Sequence, residues 1–330
     1  MTAAAAQAVP TLGEVGPRAI ARALRGTGLT LSYGAMSTRL RSDSPALATQ
    51  LADVYRHFAY LPHWRWADIH VELRRARGLR RWVQPQVNFY FDGSRPFDPF
   101  PASSPLPMFE WGSNWLIGER LNHLLLLHAG VVERDGLALV LPAMPGSGKS
   151  TLTAALSLSG WRLLSDEFGA FDLGVGHFQA VLKPVGLKNQ SIDVIERFAP
   201  HALLGPRFPK TRKGTVAHLG PDAQAVARHH EGARPGAVIL PKWRAGSATT
   251  LEPLRAQTLF SALAFNAFNY ESTGADGFRA VVRLMQSCPA WQLVYSDLDD
   301  ALAAINEKWP GVVAHHAQRN AGVAPKVLPA

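Results

Sequence analysis

The chain has 330 residues, with 34 basic against 25 acidic side chains, a formal net charge of +9, 18% charged residues and 47% hydrophobic ones. That balance excludes a disordered polycation, and one cysteine, Cys288, excludes an internal disulfide framework and a cysteine-built zinc cage. The length suits about two domains, and the basic excess leaves nucleic acid, an anionic membrane surface or phosphate-bearing molecules as partner classes.

Residues 1–15 read as a frayed head, without the basic and leucine-rich segments of a signal peptide. Leu29–Ser32 reads as a strand. Pro45–Phe58 reads as an amphipathic helix, capped by Ser44 and opened by Pro45. Ile69–Leu73 and Gln86–Phe91 alternate like strands, and Asp92-Gly93 closes the second with a turn. Ser94–Pro107 carries five prolines and reads as a connector. An N-terminal α+β domain is therefore expected over 16–118. Leu124–Leu127 is the strongest apolar run and is too short to span a bilayer. A soluble, cytoplasmic protein with no membrane partner is the expectation.

In the second half, Val131–Glu133 and Leu137–Leu141 flank Arg134-Asp135-Gly136 as a hairpin. A glycine-rich loop, a helical run Ser150–Leu158 and a short strand Trp161–Leu164 follow. Next come Phe178–Leu182, a helix from Ser191 to Phe198, a strand Ala237–Leu240 and helices Gln257–Ala267 and Asp276–Ser287. A strand Gln292–Tyr295 and a helix from Asp299 to Glu307 close the series. The tail, 311–330, reads as loose.

The sharpest motif is Ala143-Met144-Pro145-Gly146-Ser147-Gly148-Lys149-Ser150-Thr151, a Walker A loop with alanine at its first glycine. Gly146 and Gly148 let the backbone turn so that its N–H groups face phosphate oxygens. Lys149 supplies a point charge for the β- and γ-phosphates. The Ser150 hydroxyl suits the Mg²⁺ shell, and the helix beginning there adds its positive end. Asp166 lies 17 residues beyond Lys149, with Glu167 beside it, at the end of the next apolar strand. Acids there suit Mg²⁺ binding or proton removal from an attacking hydroxyl, or else an ordinary acidic turn. As adjacent strand residues they point to opposite sides and do not share one job.

The run His128-Ala129-Gly130-Val131-Val132-Glu133, the Walker loop and Leu164-Ser165-Asp166-Glu167 together resemble the HPr serine kinase/phosphorylase family. More narrowly they are similar to its HprK-related kinase A subgroup. The resemblance spans about 119–310 and implies a P-loop kinase domain of the HPr kinase and phosphoenolpyruvate carboxykinase type, hence an α/β protein. It implies that Asp166 is the base toward the substrate serine and that Glu167 occupies the second acidic position, at the metal. His128 falls on the family's histidine near the active site, although a lone histidine on an apolar strand is otherwise a core residue. Lys183-Pro184-Val185-Gly186-Leu187-Lys188-Asn189 replaces the parent family's phosphorolysis signature and resembles the subgroup, so phosphorylase activity is not expected. The parent family is hexameric, which leaves room for a homo-oligomer.

Lys183, Lys188, Lys210 and Lys213 are half of the eight lysines and gather with Arg212 in loop-rich sequence. One or two would neutralise a transferring phosphoryl group, with Lys188 and Lys213 the preferred pair, or they are solvated loop charges. Arg74, Arg75, Arg77, Arg80 and Arg81, near Trp64, Trp66 and Trp82, could mimic a nucleic-acid surface, but no reader motif accompanies them; they also suit an acidic peptide partner and read first as a solvated face. Trp111 and Trp115 read as core or interface residues, and Cys288 as a buried small residue. The expected activity is an ATP- and Mg²⁺-dependent kinase acting on a serine or threonine of a small protein or peptide. Two alternatives stand beside it: a nucleotide-gated binding module and a small-molecule phosphotransferase. Nucleic acid is the remote partner, and the donor is left open among ATP, GTP and pyrophosphate.

Overall fold

A computed structural model of the chain describes residues 9–63, 66–144 and 146–321, a mixed α/β protein with several sheets. The first elements are α1 (Leu12–Arg25), β1 (Leu29–Ser32), β2 (Ser37–Ser42), α2 (Pro45–Val54), β3 (Ile69–Arg75), β4 (Gln86–Phe91), β5 (Phe100–Pro101) and α3 (Pro105–Arg120). Then come β6 (Leu124–Arg134), β7 (Leu137–Pro142), α4 (Lys149–Leu158), β8 (Arg162–Ser165), β9 (Phe168–Asp172) and β10 (Phe178–Gln179). They are followed by β11 (Val185–Lys188), α5 (Gln190–Phe198), β12 (Phe208–Thr211), β13 (Gly214–Leu219) and α6 (Ala223–Ala227). The last are β14 (Arg234–Trp243), β15 (Thr250–Pro253), α7 (Ala256–Phe265), α8 (Tyr270–Ser287), β16 (Ala290–Tyr295) and α9 (Leu298–Ala321).

Two compact units divide these elements. The first holds the described residues up to Leu121 together with 180–231, and the second holds 122–179 together with the described residues from Gly232 onward. The sequence reading places 180–231 with the phosphate-loop domain; the packing places it in the first unit. Backbone contacts explain why. Ala35 N donates to Ala180 O at 2.8 Å and Leu182 N to Tyr33 O at 2.8 Å, while Ser32 Oγ lies 3.0 Å from His229 Nε2. A Cβ at Gly34, at φ +105°, would stand 2.3 Å from His229 O, and one at Gly205 would stand 2.4 Å from Val54 Cγ2.

In the first unit, β1 to β5 pair in sequence order, with only the β2–β3 pair parallel, and β11–β13–β12 form a separate antiparallel sheet. α1 corrects the expectation of a frayed head. Thr11 N donates to Glu14 Oε2 at 2.7 Å and Glu14 N to Thr11 Oγ1 at 3.4 Å, a capping box that starts the helix at Leu12. Residues 1–8 lie outside the described residues. The proline-rich stretch is no free linker either. Phe97 packs its ring 4.4 Å from Trp111 and 5.3 Å from Trp115, and Phe100 stacks on Trp111, which ties the stretch to α3.

The second unit is one mixed sheet in the order β10-β9-β6-β7-β14-β16-β15, with β8 also paired to β6. β7, β14 and β16 run parallel to one another, and the remaining pairs are antiparallel. β6 and β7 are buried almost throughout, which accounts for their unbroken apolar runs. α9 corrects the expectation of a loose tail from 311. Its apolar face, Leu298, Ala301, Leu302, Ile305, Trp309 and Val312, continues past Pro310. Trp309 packs 4.5 Å from Trp161 and donates from Nε1 to Asp135 Oδ2 at 3.0 Å, while His316 Nε2 lies 2.8 Å from Gly236 O. Residues 322–330 lie outside the described residues.

Candidate active site

Strand β7 is followed by the glycine loop and α4, so the loop leaves the carboxyl end of a strand in the parallel part of the sheet, where open α/β sheets place ligands. Gly146 and Gly148 take φ of +86° and +88°, a region that favours glycine. Gly148 is doubly constrained, because a Cβ there would stand 2.4 Å from Tyr295 Oη. Three bonds shape the loop from inside the unit. Ser147 N donates to Met144 O at 3.2 Å, Trp243 N to Ser147 O at 2.9 Å, and Tyr295 Oη to Gly148 O at 3.2 Å. Ala143 is buried at the end of the β7 run, where a side chain fits without strain. Pro145 lies outside the described residues.

α4 lies close against β6 because position 130 is glycine. A Cβ on Gly130 would stand 2.1 Å from Thr153 Oγ1, whose proton goes to Lys149 O at 2.9 Å. Ser150 and Thr151 lie half-buried in the first helical turn, and helix N-terminal amides have no intrahelical partner. Inside this cradle Lys149 is buried. Its Nζ lies 3.2 Å from Asp166 Oδ1 and donates to the Asp166 main-chain carbonyl. Ionised groups in low dielectric need such a partner.

Asp166 and Glu167 join β8 to β9, both of which run antiparallel to β6. Val131 is opposite Ser165 and His128 opposite Phe168, so the acids occupy the bend between those two paired positions. Phe168 N donates to Ser165 Oγ at 3.0 Å and closes the bend that presents them. The two acids take different partners. Asp166 turns to Lys149, while Glu167, about two-fifths exposed, places Oε1 3.7 Å from His128 Nε2. The His128 ring lies 5.4 Å from Phe268, and its main-chain N–H donates to Asn266 O at 2.6 Å. His128 is therefore at the site's edge rather than in an apolar core.

This cradle fits a polyphosphate in its chemistry: left-handed glycines, a lysine at a helix start, and the Ser147 hydroxyl, buried without a hydrogen-bond partner among the described residues. Ser150 and Glu167 offer hard oxygen ligands suited to Mg²⁺. Among the described residues no cluster of three or more His, Cys, Asp or Glu is placed to hold a metal.

Lys188 and Lys213 belong to the first unit. Both are exposed at one end of the β11–β13–β12 sheet, where Asn189 Nδ2 donates to Lys213 O at 3.4 Å. Lys183 corrects the expectation of a loop charge, since it is buried, 3.1 Å from Glu110 Oε2 and 2.5 Å from Asn114 Oδ1. Lys210 is on β12, and Arg212 pairs with Asp98 at 2.5 Å. Of the arginine surface, Arg74 pairs with Glu72 and Arg75 with Asp43, and Trp64 lies outside the described residues. Sequence reasoning missed Trp243, whose main-chain N–H bonds to the loop, and Tyr295, whose hydroxyl braces it. The available signal was two strands that run parallel to the loop's own strand and end in an aromatic residue.

Among the described residues no helix is long and apolar enough to cross a membrane. No protein-family model matches the chain, and no curated protein matches it.

Proposed function

We propose that this protein is an ATP- and Mg²⁺-dependent kinase that phosphorylates a serine or threonine hydroxyl of a small protein or peptide, using a P-loop domain of the HPr kinase type. The observation that carries this reading is the buried Lys149–Asp166 pair at 3.2 Å, formed between the start of the loop's helix and the bend after β8. It sets a cation for phosphate oxygens beside a carboxylate able to take a proton, the two charges phosphoryl transfer demands of a protein.

In this reading the amides of the loop and the Lys149 ammonium hold the β- and γ-phosphates. Asp166 accepts the proton of the acceptor hydroxyl as its oxygen bonds to the γ-phosphorus, and the bridging bond breaks with its electron pair going to ADP. Ser150 and Glu167 would hold Mg²⁺, which supplies charge neutralisation at the phosphate oxygens. His128, 3.7 Å from Glu167, orients that carboxylate. No step is assigned to Lys188 or Lys213.

The test offers small candidate acceptor proteins and Mg-ATP to the full chain and reads their masses. One added phosphate with the wild type, lost in both Lys149→Ala and Asp166→Ala, is the expected outcome. The same modification made by Lys149→Ala would sink the kinase reading. ADP formed with a metabolite and no phosphoprotein would reassign the acceptor to a small molecule.

A further inference from the structure

We propose that Trp243 is the platform on which the nucleobase of the donor stacks, an inference that rests on the phosphate-loop reading above. β14 lies beside and parallel to β7, so the strand that feeds the phosphate loop and the strand that ends in Trp243 finish on the same edge. The main chain couples them further, because Trp243 N donates to Ser147 O at 2.9 Å. A Cβ on Gly148 would stand 3.0 Å from Trp243 Cβ, so the tryptophan and the loop's second glycine are in packing contact.

The indole is held as well as placed. Its Nε1 donates to Ser296 O at 3.1 Å, and the following turn is fixed by Gly246 N on Ser296 Oγ at 3.0 Å and Ser247 Oγ on Arg244 O at 2.9 Å. Yet 48% of Trp243 remains exposed. Folding has therefore anchored a large aromatic side chain beside the loop without covering it. A ring already fixed at its nitrogen loses little freedom when a flat partner settles on it. Among the described residues the other exposed large aromatics are Trp66, Trp82, Trp115, Phe265, Phe268 and Phe278, and none is bonded to the loop.

Stacking on an indole is tolerant of base identity, since every base has a π-face. This platform therefore selects a nucleoside triphosphate over a bare polyphosphate, and does not separate adenine from guanine. Lys242 and Arg244, both exposed on either side of Trp243, add positive charge near the polyphosphate.

The test is calorimetric binding to the full chain, with Mg-ATP, Mg-GTP and Mg-tripolyphosphate as ligands. The wild type should bind the two nucleotides within about threefold of each other and tripolyphosphate about tenfold more weakly, the size of one base–aromatic stack. Trp243→Ala and Trp243→Leu should each weaken both nucleotides about tenfold and leave tripolyphosphate unchanged, and Trp243→Phe should recover most of the loss. Unchanged ATP affinity in Trp243→Ala would overturn the proposal. So would loss of tripolyphosphate binding in that variant, because Trp243 would then be supporting the loop rather than a base. Equal wild-type affinity for ATP and tripolyphosphate refutes stacking and leaves the phosphate loop standing. Lys149→Ala binding all three ligands as tightly as the wild type would refute the phosphate-loop reading itself.

Discussion

Lys149 and Asp166 are both buried, which gives their pair a double character. A carboxylate and an ammonium removed from water are stabilised by each other, and removing one leaves the other uncompensated at a cost of about 3–5 kcal/mol. Lys149→Met should therefore destabilise the second unit by about that amount, and Asp166→Asn by a similar or smaller one. The double variant should be more stable than the sum of the two losses implies, since it leaves no orphan charge. Urea unfolding of all four proteins gives the coupling directly. Strict additivity would mean that the pair contributes nothing to stability. Glu167→Gln leaves the buried pair intact, so under the kinase activity proposed above a loss of phosphate transfer in that variant would report on Glu167 itself, about two-fifths exposed and facing His128.

At the scale of elements, the loop is positioned by how closely α4 approaches β6, and that approach is set by Gly130 and Thr153. Gly130→Ala drives a methyl to 2.1 Å from Thr153 Oγ1, so the helix must shift or the threonine must leave its rotamer. Overpacking of this kind costs about 1–3 kcal/mol, and the displaced helix carries Lys149 with it. Thermal unfolding should show a lower midpoint for Gly130→Ala and partial recovery in the double variant with Thr153→Ala. Recovery is the informative outcome, because general backbone damage at position 130 would not respond to Thr153. This approach was not legible in sequence, where Gly130 reads as one small residue in an apolar strand. The loop itself was legible, because a buried strand, paired glycines and a capless helix start lie consecutively along the chain. Helix α1 carries Gly16 and Pro17 inside it, and neither residue favours a helix interior. Gly16, at φ +72°, absorbs the break, and the capping box begins the helix before it. The continuation of α9 past Pro310 was hidden because the prolyl signal is local, whereas the contacts of Trp309, Val312 and His316 come from distant segments. Trp243 escaped notice because its partner, Ser147, is 96 positions away (243 minus 147) and only sheet pairing brings them together.

At the scale of the whole molecule, the return of 180–231 to the first unit has an energetic consequence that a linear domain map would not give. It carries His218, which stands on β13 buried beside the Lys183–Glu110 pair, and its Nδ1 has no hydrogen-bond partner among the described residues. Burial lowers the His218 pKa below 6.5, with Glu110 pulling it up and Lys183 pushing it further down. Burial also lowers His57 and His229 in the same unit, against His316 in the second. The sign follows from which state takes up the proton. Below about pH 6.5 the unfolded chain binds protons that the folded histidines refuse, so stability from these residues is complete above that pH and falls as the solution is acidified. For a fully buried histidine the slope approaches about 1.4 kcal/mol per pH unit until the folded pKa is reached. Hydrogen exchange read by mass spectrometry from pH 7 to pH 5, corrected for intrinsic rates, resolves the two units separately. Protection in β11, β13 and β1 should decline more steeply than in β6 and β7, and His218→Gln should flatten the decline in the first unit alone. Parallel decline in both units, unchanged by that substitution, would show that the acid response lies elsewhere. The basic excess of the chain does not supply it, because lysine and arginine keep their charge throughout this range, and only groups whose folded and unfolded pKa values straddle it can change stability there.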